Sequence, residues 1–425
     1  MVKLIAIISM LLPVSSYAEM NFDGNGDSSI KEAMVNTEIP APTMDKSAKP
    51  KTQKEWTVMV YLNAKNNLEP FGISDMNEME MVGSNDNLNI VVQFGRIKGY
   101  DTTNGDWKTV RRYYVTKDTD TKTINSQMVA DLGKVDMGDY KSLIDFGKWV
   151  KQNYPAKKYL LVVWNHGSGW EKSMGLPITK GISYDDETGN HINTPQLGMA
   201  LKEIGKIDIV DFDACLMAMA EVLYEIKDSV TYIVASEETE PGDGNTYNTF
   251  LDKIEANPTI TQLNLAKAMV DSYNSHYQSV GDGSTLSVLR AEQADGLLKA
   301  VNDFAYALSQ TGDKNLVKTA ASSAQSYAIE DNKDLYHFAQ LVSSKTNDAA
   351  VKEKAKALMD FISNKLVAYN KYSNSSGGWW GPVDYSNSKG VAIYIPASSI
   401  GDGYLDLQWS KYSNWDEMIS WYLSK

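Results

Sequence analysis

The sequence predicts an α/β protein with a mostly parallel sheet flanked by helices, followed by a mainly helical C-terminal region. Two apolar runs, residues 159–164 and 207–215, are short, rich in Val, Ile and Leu, and lack a helical period. Such runs are expected of strands buried on both faces of a parallel sheet. Candidate strands alternate with candidate helices from residue 56 to residue 236, a spacing typical of βαβ units.

The first half of the chain supplies these units in order. Strands are predicted at 56–62, 88–94, 159–164, 207–215 and 232–236, with a hairpin around 109–115. Helices are predicted at 73–81, 140–154, 194–204 and 217–227. Thr194 is the expected N-cap with Pro195 at the first helical position, and Gly205 ends that helix. Residues 171–188 mix Gly, Pro, Lys and Asp without a period, which predicts a loop.

The second half is dominated by helical periodicity. Helices are predicted at 260–278, 291–309, 315–329, 333–344 and 349–372, interrupted by two strands at 285–289 and 391–395. The predicted organisation is a signal peptide at 1–18, a polar spacer or pro-segment at 19–54, an α/β domain at 55–255 and a helical C-terminal region with two added strands at 256–425. The aromatic segment 377–382 is predicted to form a loop, either a structural turn or a substrate contact.

Composition and charge exclude some functions. The chain of 425 residues is 43% hydrophobic and carries a formal net charge of −13, so it has ample material for a core. This charge argues against a nucleic-acid partner, because phosphate binding needs clustered Lys and Arg. No segment approaches the roughly 18 apolar residues of a membrane span, so we expect no stable membrane insertion.

The N-terminus has the pattern of an export signal. Lys3 precedes the mostly apolar residues 4–12, and Ser16 and Ala18 place small residues where a signal peptidase cuts. We therefore expect a secreted or periplasmic bacterial protein. Residues 23–30 resemble half of a calcium-binding loop, but Ser28 and Met34 stand where Gly and Glu belong, which favours a flexible linker.

The chemistry of the predicted site begins with Cys215, the only cysteine of the chain. An unpaired cysteine in an exported protein is either a reactive thiol or a small buried hydrophobic residue. His166 lies 49 residues earlier, just past another predicted strand, and imidazole is a natural base for a thiol. Gly167 allows a close approach of substrate, so its N–H and that of Cys215 form a candidate oxyanion hole. A helix directly after Cys215 would favour the thiolate.

The two motifs resemble those of a known family. The segment from Asn165 to Trp170, NHGSGW, and the segment from Asp211 to Met217, DFDACLM, are similar to the His and Cys motifs of the clostripain family of cysteine peptidases. That family belongs to the clan of caspases, gingipains and legumains. The resemblance implies a caspase-like fold, with Cys215 as nucleophile and His166 as base in a dyad.

The resemblance also implies specificity and processing. Members cut after Arg or Lys, which requires an acidic S1 pocket, and Asp213 and Asp243 are the candidates. Asp213 shares a strand face with Cys215 because it lies two residues earlier. Members also cut themselves in the loop after the His motif, so we expect self-cleavage after Lys180 and a monomer or a self-cleaved two-chain form. No cofactor is required for the chemistry, although calcium remains possible at the acids Asp185, Asp186 and Glu187.

Two alternatives remain open at this stage. One is a peptidase of the same clan with a different P1 specificity, for example for Asn or Asp. The other is a non-catalytic protein on the same fold that binds peptide or glycan through its aromatic residues. An activated Cys215 would react quickly with iodoacetamide near neutral pH, whereas an inert buried thiol would not.

Overall fold

The computed structural model describes residues 52–172, 180–378 and 381–424. The predicted signal peptide, the half calcium loop at 23–30 and nearly all of the predicted spacer lie outside these residues, as do Trp379 and Trp380. None of the described helices is both long and apolar enough to cross a membrane.

The secondary structure of the first half begins with a long strand. In chain order the elements are β1 (Lys54–Ala64), α1 (Glu69–Val82), β2 (Leu88–Arg96), β3 (Val110–Tyr114), β4 (Gln127–Asp131), α2 (Tyr140–Asn153), β5 (Ala156–Trp164), β6 (Gly167–Lys172), β7 (Lys180–Asp185), β8 (Asn190–Ile192), α3 (Thr194–Ile204), β9 (Ile207–Asp213), α4 (Ala220–Ile226) and β10 (Val230–Ala235).

The second half is richer in helices. It contains α5 (Tyr247–Ala256), α6 (Gln262–Val280), β11 (Ser284–Arg290), α7 (Ala294–Gln310), α8 (Lys314–Ser323), β12 (Asn332–Asp334), α9 (Leu335–Lys345), α10 (Ala349–Phe361), β13 (Val367–Ser373), β14 (Ser375–Gly378), β15 (Gly381–Val383), β16 (Ala392–Tyr394), α11 (Gln408–Tyr412) and α12 (Trp415–Leu423).

One sheet of nine strands organises the fold, in the order β13-β11-β10-β9-β5-β1-β2-β3-β4. The five central strands, β10 to β2 in that order, pair in parallel, and the strands at both edges pair antiparallel. The predicted α/β class with a mostly parallel sheet is therefore confirmed. Strands β11 and β13, which follow residue 255, extend the same sheet.

Both faces of the sheet are buried, as the continuous apolar runs predict. Along β1, Met59 and Tyr61 pack into one apolar cluster, whereas Val58 and Val60 pack into another. Alternate side chains of a strand point to opposite faces, so the two clusters are the cores on either side of the sheet. This burial fixes the register of the strands that carry the site.

Three sequence-based predictions of the first half are wrong. The hairpin predicted around 109–115 is a single strand, β3 (Val110–Tyr114), which pairs with both β2 and β4. The predicted loop at 171–188 contributes to an antiparallel sheet of β6, β7 and β8. The N-cap of α3 is Asn193, not Thr194, because the Asn193 side chain and that of Gln196 form a reciprocal capping box.

Two predicted helices also differ from the structure. The helix expected from residue 217 begins only at Ala220, because the intervening backbone bonds to another loop: Leu216 N–H donates to Glu238 and Ala218 N–H to Ser236. The helix predicted to run to residue 372 is α-helical only to Phe361 and ends after a π-helical turn at Ile362–Leu366. Its last residues form β13, whose backbone groups pair with β11.

Candidate active site

Adjacent strands bring the His and Cys motifs to one edge of the sheet. Strands β5 and β9 are parallel neighbours, and Trp164 pairs with Asp213 in their register. Asn165 N–H continues the ladder by donating to the Asp213 carbonyl at 3.2 Å. His166 and Cys215 therefore occupy equivalent positions, each two residues past the same pair. The carboxyl ends of such strands are where ligands bind in α/β sheets.

Gly167 lies directly against the backbone of Cys215. A Cβ atom on Gly167 would lie 2.4 Å from the Cys215 carbonyl oxygen and 3.1 Å from its nitrogen. The first of these distances is far inside van der Waals contact, so this position requires glycine. The segments that follow the two strands are thus in direct backbone contact.

The residue Cys215 is partly exposed, and its thiol is surrounded by backbone donors. Glu240 N–H donates to Sγ at 3.3 Å, and the N–H groups of Gly167 and Cys215 also face the sulfur. Burial raises the pKa of the thiol, with a further increase from the charge of Glu238, and the backbone donors only partly offset these effects. The resting thiol is therefore protonated and needs a base.

The residue after the thiol has a strained backbone. Leu216 is buried and adopts a φ of +65°, a conformation that costs a non-glycine residue of order 1–3 kcal/mol. Its N–H is held by the Glu238 carbonyl at 3.0 Å. The strain thus lies directly beside the predicted nucleophile, and the loop after β10 sustains it.

The His166 ring is held by a residue that sequence reasoning missed. Its Nε2 lies 2.8 Å from the Asn67 side-chain oxygen, which only accepts hydrogen bonds, so Nε2 carries the proton and Nδ1 is the acceptor. Burial lowers the pKa of His166, which keeps the ring neutral and able to take a proton. One signal could have pointed to Asn67: it follows β1, the neighbour of β5.

Asp213 is buried and heavily hydrogen-bonded. It accepts from the Asn245 N–H at 3.3 Å and from the Tyr247 hydroxyl at 2.7 Å. A Cβ on Gly244, whose φ is +57°, would lie 2.6 Å from an Asp213 carboxylate oxygen, so this turn closes on the carboxylate. Burial raises the pKa of Asp213 to about 6.

Asp243 lies in the loop after β10 and is 67% exposed, with its Oδ2 3.4 Å from the His276 Nε2. Its charge and that of Asp213 both raise the pKa values of Asp75 and Glu78 on α1. The structure therefore brings the two predicted S1 acids into one acidic region. Sequence reasoning did not anticipate that α1 contributes to it.

The predicted self-cleavage residue Lys180 is the first residue of β7, where it pairs with Lys172 of β6. Residues 173–179, between these strands, lie outside the described part of the chain. The nearby acids are engaged by lysines: Lys65 contacts Asp185 at 2.8 Å and Glu187 at 2.9 Å. Among the described residues, no group of three or more His, Cys, Asp or Glu side chains could hold a metal ion.

The fold and this arrangement of thiol and imidazole are typical of α/β cysteine peptidases. A family model described as the clostripain family matches residues 60–422. The chain therefore belongs to the clostripain family and is a cysteine endopeptidase, which confirms the family predicted from the two motifs.

Individual relatives agree with this assignment. The chain is 25% identical to clostripain of Hathewaya histolytica, with 93% of this chain and 91% of that protein aligned. Its fold matches that of a secreted cysteine protease from Bacteroides thetaiotaomicron solved with an irreversible peptide inhibitor (TM-score 0.66, 22% identity, 85% of this chain and all of that one). It also matches an inactive zymogen protease from Parabacteroides distasonis (TM-score 0.66, 20% identity, 86% and 99% of the two chains).

Proposed function

We propose that this protein is an exported cysteine endopeptidase that hydrolyses peptide bonds after Arg or Lys, with Cys215 as nucleophile and His166 as base. The observation that carries the proposal is the shared register of β5 and β9, which sets the two residues at equivalent strand ends. The neutral His166 ring, oriented by Asn67, supports its role as base.

The proposed reaction proceeds in two steps. The Cys215 thiol transfers its proton to His166 Nδ1, and the sulfur attacks the scissile carbonyl carbon. The N–H groups of Gly167 and Cys215 donate to the developing oxyanion. His166 then gives the proton to the leaving amine, which leaves a thioester on Cys215. His166 next takes a proton from water as the water oxygen attacks the thioester carbonyl carbon. The C–S bond then breaks, the carboxylic acid product leaves, and His166 returns its proton to the Cys215 sulfur.

A basic P1 side chain is supported by the charge around the site. Asp213 and Asp243 lie in one acidic region with Asp75 and Glu78. Within the residues that the structure describes, no Lys or Arg forms an ion pair with these four carboxyl groups. A guanidinium or ammonium group would supply the missing positive charge, whereas an acidic P1 residue would be repelled.

We further propose that the protein is made as a precursor and cuts itself after Lys180. Support comes from the position of Lys180 at the start of β7, directly after the segment that joins β6 and β7, and from the likeness to a protein described as an inactive zymogen. Export is supported by the N-terminal pattern and by the relative described as secreted.

Fluorogenic peptides with Arg, Lys, Asn or Asp at P1 test the proposal. We expect hydrolysis of the Arg and Lys peptides only, complete loss in Cys215→Ala, and no effect of a chelator on the chemical step. Hydrolysis after Asn or Asp would contradict the proposed specificity. Activity that survives in Cys215→Ala would contradict the proposed nucleophile.

A further inference from the structure

Glu240 is a partly exposed residue with a buried carboxyl group for which the proposed mechanism has no use. Its backbone N–H donates to Cys215 Sγ, so the residue is fixed beside the nucleophile. Neither of its carboxylate oxygens contacts solvent, and among the described residues no N–H group and no hydroxyl donates to either of them. A buried carboxylate without donors is costly unless a proton or a cation neutralises it.

The neighbours of Glu240 are acids as well. Its carboxyl group is in side-chain contact with that of Asp213, and two carboxyl groups can contact each other stably only if they share a proton. One Asp211 carboxylate oxygen and the Tyr273 hydroxyl, both buried, are also without partners. This part of the site therefore contains several polar groups that a ligand with many donors could satisfy.

We propose that Asp213 and Glu240 form a carboxyl pair that holds one proton in the empty enzyme and exchanges it for the cationic head group of the P1 residue. This inference rests on the proposed function, since it assigns the pair to the S1 site. When a guanidinium enters, both carboxyl groups ionise, and the proton leaves to solvent. Glu240 is thereby a specificity residue in addition to Asp213 and Asp243.

The groups around the pair determine the sign of the pH dependence. Most of the groups that face it disfavour a second negative charge: Asp75 and Glu78 from α1, Asp211 and Cys215 around β9, and Tyr273 and Tyr277 from α6. The Asn245 N–H and the Tyr247 hydroxyl, which donate to Asp213, instead favour its ionisation, and His276 lies further out, against Asp243. Burial and this repulsion raise the pKa of Glu240. Because the bound cation favours ionisation, its affinity increases with pH until the pair is already ionised.

The test uses wild-type enzyme and n-butylguanidinium as a competitive inhibitor that mimics the Arg side chain. For wild type, the inhibition constant should improve about tenfold for each pH unit over the range in which the pair holds its proton, because one proton is released on binding. In Glu240→Gln this slope should disappear, and KM for an Arg peptide should increase about tenfold or more while kcat changes less. The neutral analogue n-butylurea should show no such slope in either enzyme.

Controls separate this inference from the proposed function. Glu255→Gln removes a surface acid that pairs with Lys117 at 3.1 Å and should behave as wild type. Glu240→Asp keeps a carboxyl group, so it should retain a pH slope with weaker binding, and it replaces Glu240→Gln if that variant does not fold. If wild type does not cleave after Arg, the proposed function fails. If wild type does so and the Glu240 variants keep both its KM and its slope, only the carboxyl pair is refuted.

Discussion

Asn67 determines which nitrogen of His166 can act as base. The ring is held through Nε2 at 2.8 Å from the amide oxygen, so Nδ1 is presented as the acceptor. Without such a contact the imidazole ring could rotate, and ordering it for proton transfer would cost free energy in every turnover. The site is therefore a dyad supported by a third side chain that positions the base.

Replacing Asn67 with Ala should lower kcat for an Arg peptide about tenfold or more, with little change in KM, because substrate contacts remain while the base is no longer oriented. Steady-state kinetics measure the two constants separately. In Asn67→Asp the acceptor oxygen is retained, but the added charge should raise the pKa of His166 and move the acid limb of the pH profile upward. An unchanged kcat in Asn67→Ala would rule out the positioning role.

A substitution at Gly167 tests the importance of the contact between the His and Cys motif segments. Its replacement by Ala places a Cβ 2.4 Å from the Cys215 carbonyl oxygen, so the segments must separate, and kcat/KM should fall about a hundredfold or more. Gly189→Ala is the matched control: that glycine has a φ of +71° and open space around it, so the change adds only backbone strain, in the turn between β7 and β8. Equal losses in the two variants would contradict the proposed role of the close approach.

At the scale of single elements, α4 connects the Cys segment to the C-terminal part of the chain. Glu221, in its first turn, accepts hydrogen bonds from the Tyr394 N–H and the Tyr404 hydroxyl, each at 3.1 Å. Burial raises the pKa of Glu221 from 4.5 to about 7. The fold therefore favours the protonated form of this carboxyl group. The contribution of Glu221 to the free energy of unfolding is fully present below pH 4.5 and is lost as the pH rises toward 7.

The variant Glu221→Gln should reveal this loss of stability at high pH, since its amide group cannot ionise. Relative to the variant, the free energy of unfolding of the wild type should decrease between pH 4.5 and pH 8 by up to about 3 kcal/mol, the equivalent of the shift. Urea unfolding at both pH values measures it. Glu255→Gln should show no such difference. If the free energies of unfolding of wild type and Glu221→Gln differ by the same amount at both pH values, Glu221 does not titrate in this range.

The sequence predicted strands and helices correctly where burial alone determines their pattern of apolar residues. The runs that became β1, β5, β9 and β10 are apolar because both faces of the sheet are covered. The prediction failed where pairing with a segment distant in sequence determines the structure, as in β13. Residues 367–373 continue a helical pattern, yet they form a strand because their backbone pairs with β11. Asn67, Glu78 and Glu240 were missed for the same reason, because polar residues outside a motif become informative only when the fold brings them beside the thiol.

For the whole molecule, the order of strands determines what self-cleavage would do. A cut after Lys180 would leave β1 to β5 on one chain and β9, β10, β11 and β13 on the other, and these two sets are contiguous in the sheet. The junction is the parallel pair β5–β9, whose ends carry His166 and Cys215. The proposed two-chain form therefore divides the site between its chains while the sheet holds them together.

We expect purified active enzyme to contain two fragments that coelute in native chromatography and separate only in denaturant, because the β5–β9 pairing and both apolar cores join them. Mass spectrometry should find a fragment ending at Lys180, and Lys180→Ala should remain a single chain. An active wild-type enzyme with an intact chain would refute the processing step.

The most direct measurement of the central claim is covalent labelling by a peptidyl chloromethyl ketone, followed by peptide mapping. A reagent with Arg at P1 should add once, on Cys215, at a rate that falls about a hundredfold or more in His166→Ala. The same reagent with Asp at P1 should not react. Labelling that ignores His166, or that is equally fast with Asp at P1, would contradict a thiol activated by His166 beside a pocket for basic side chains.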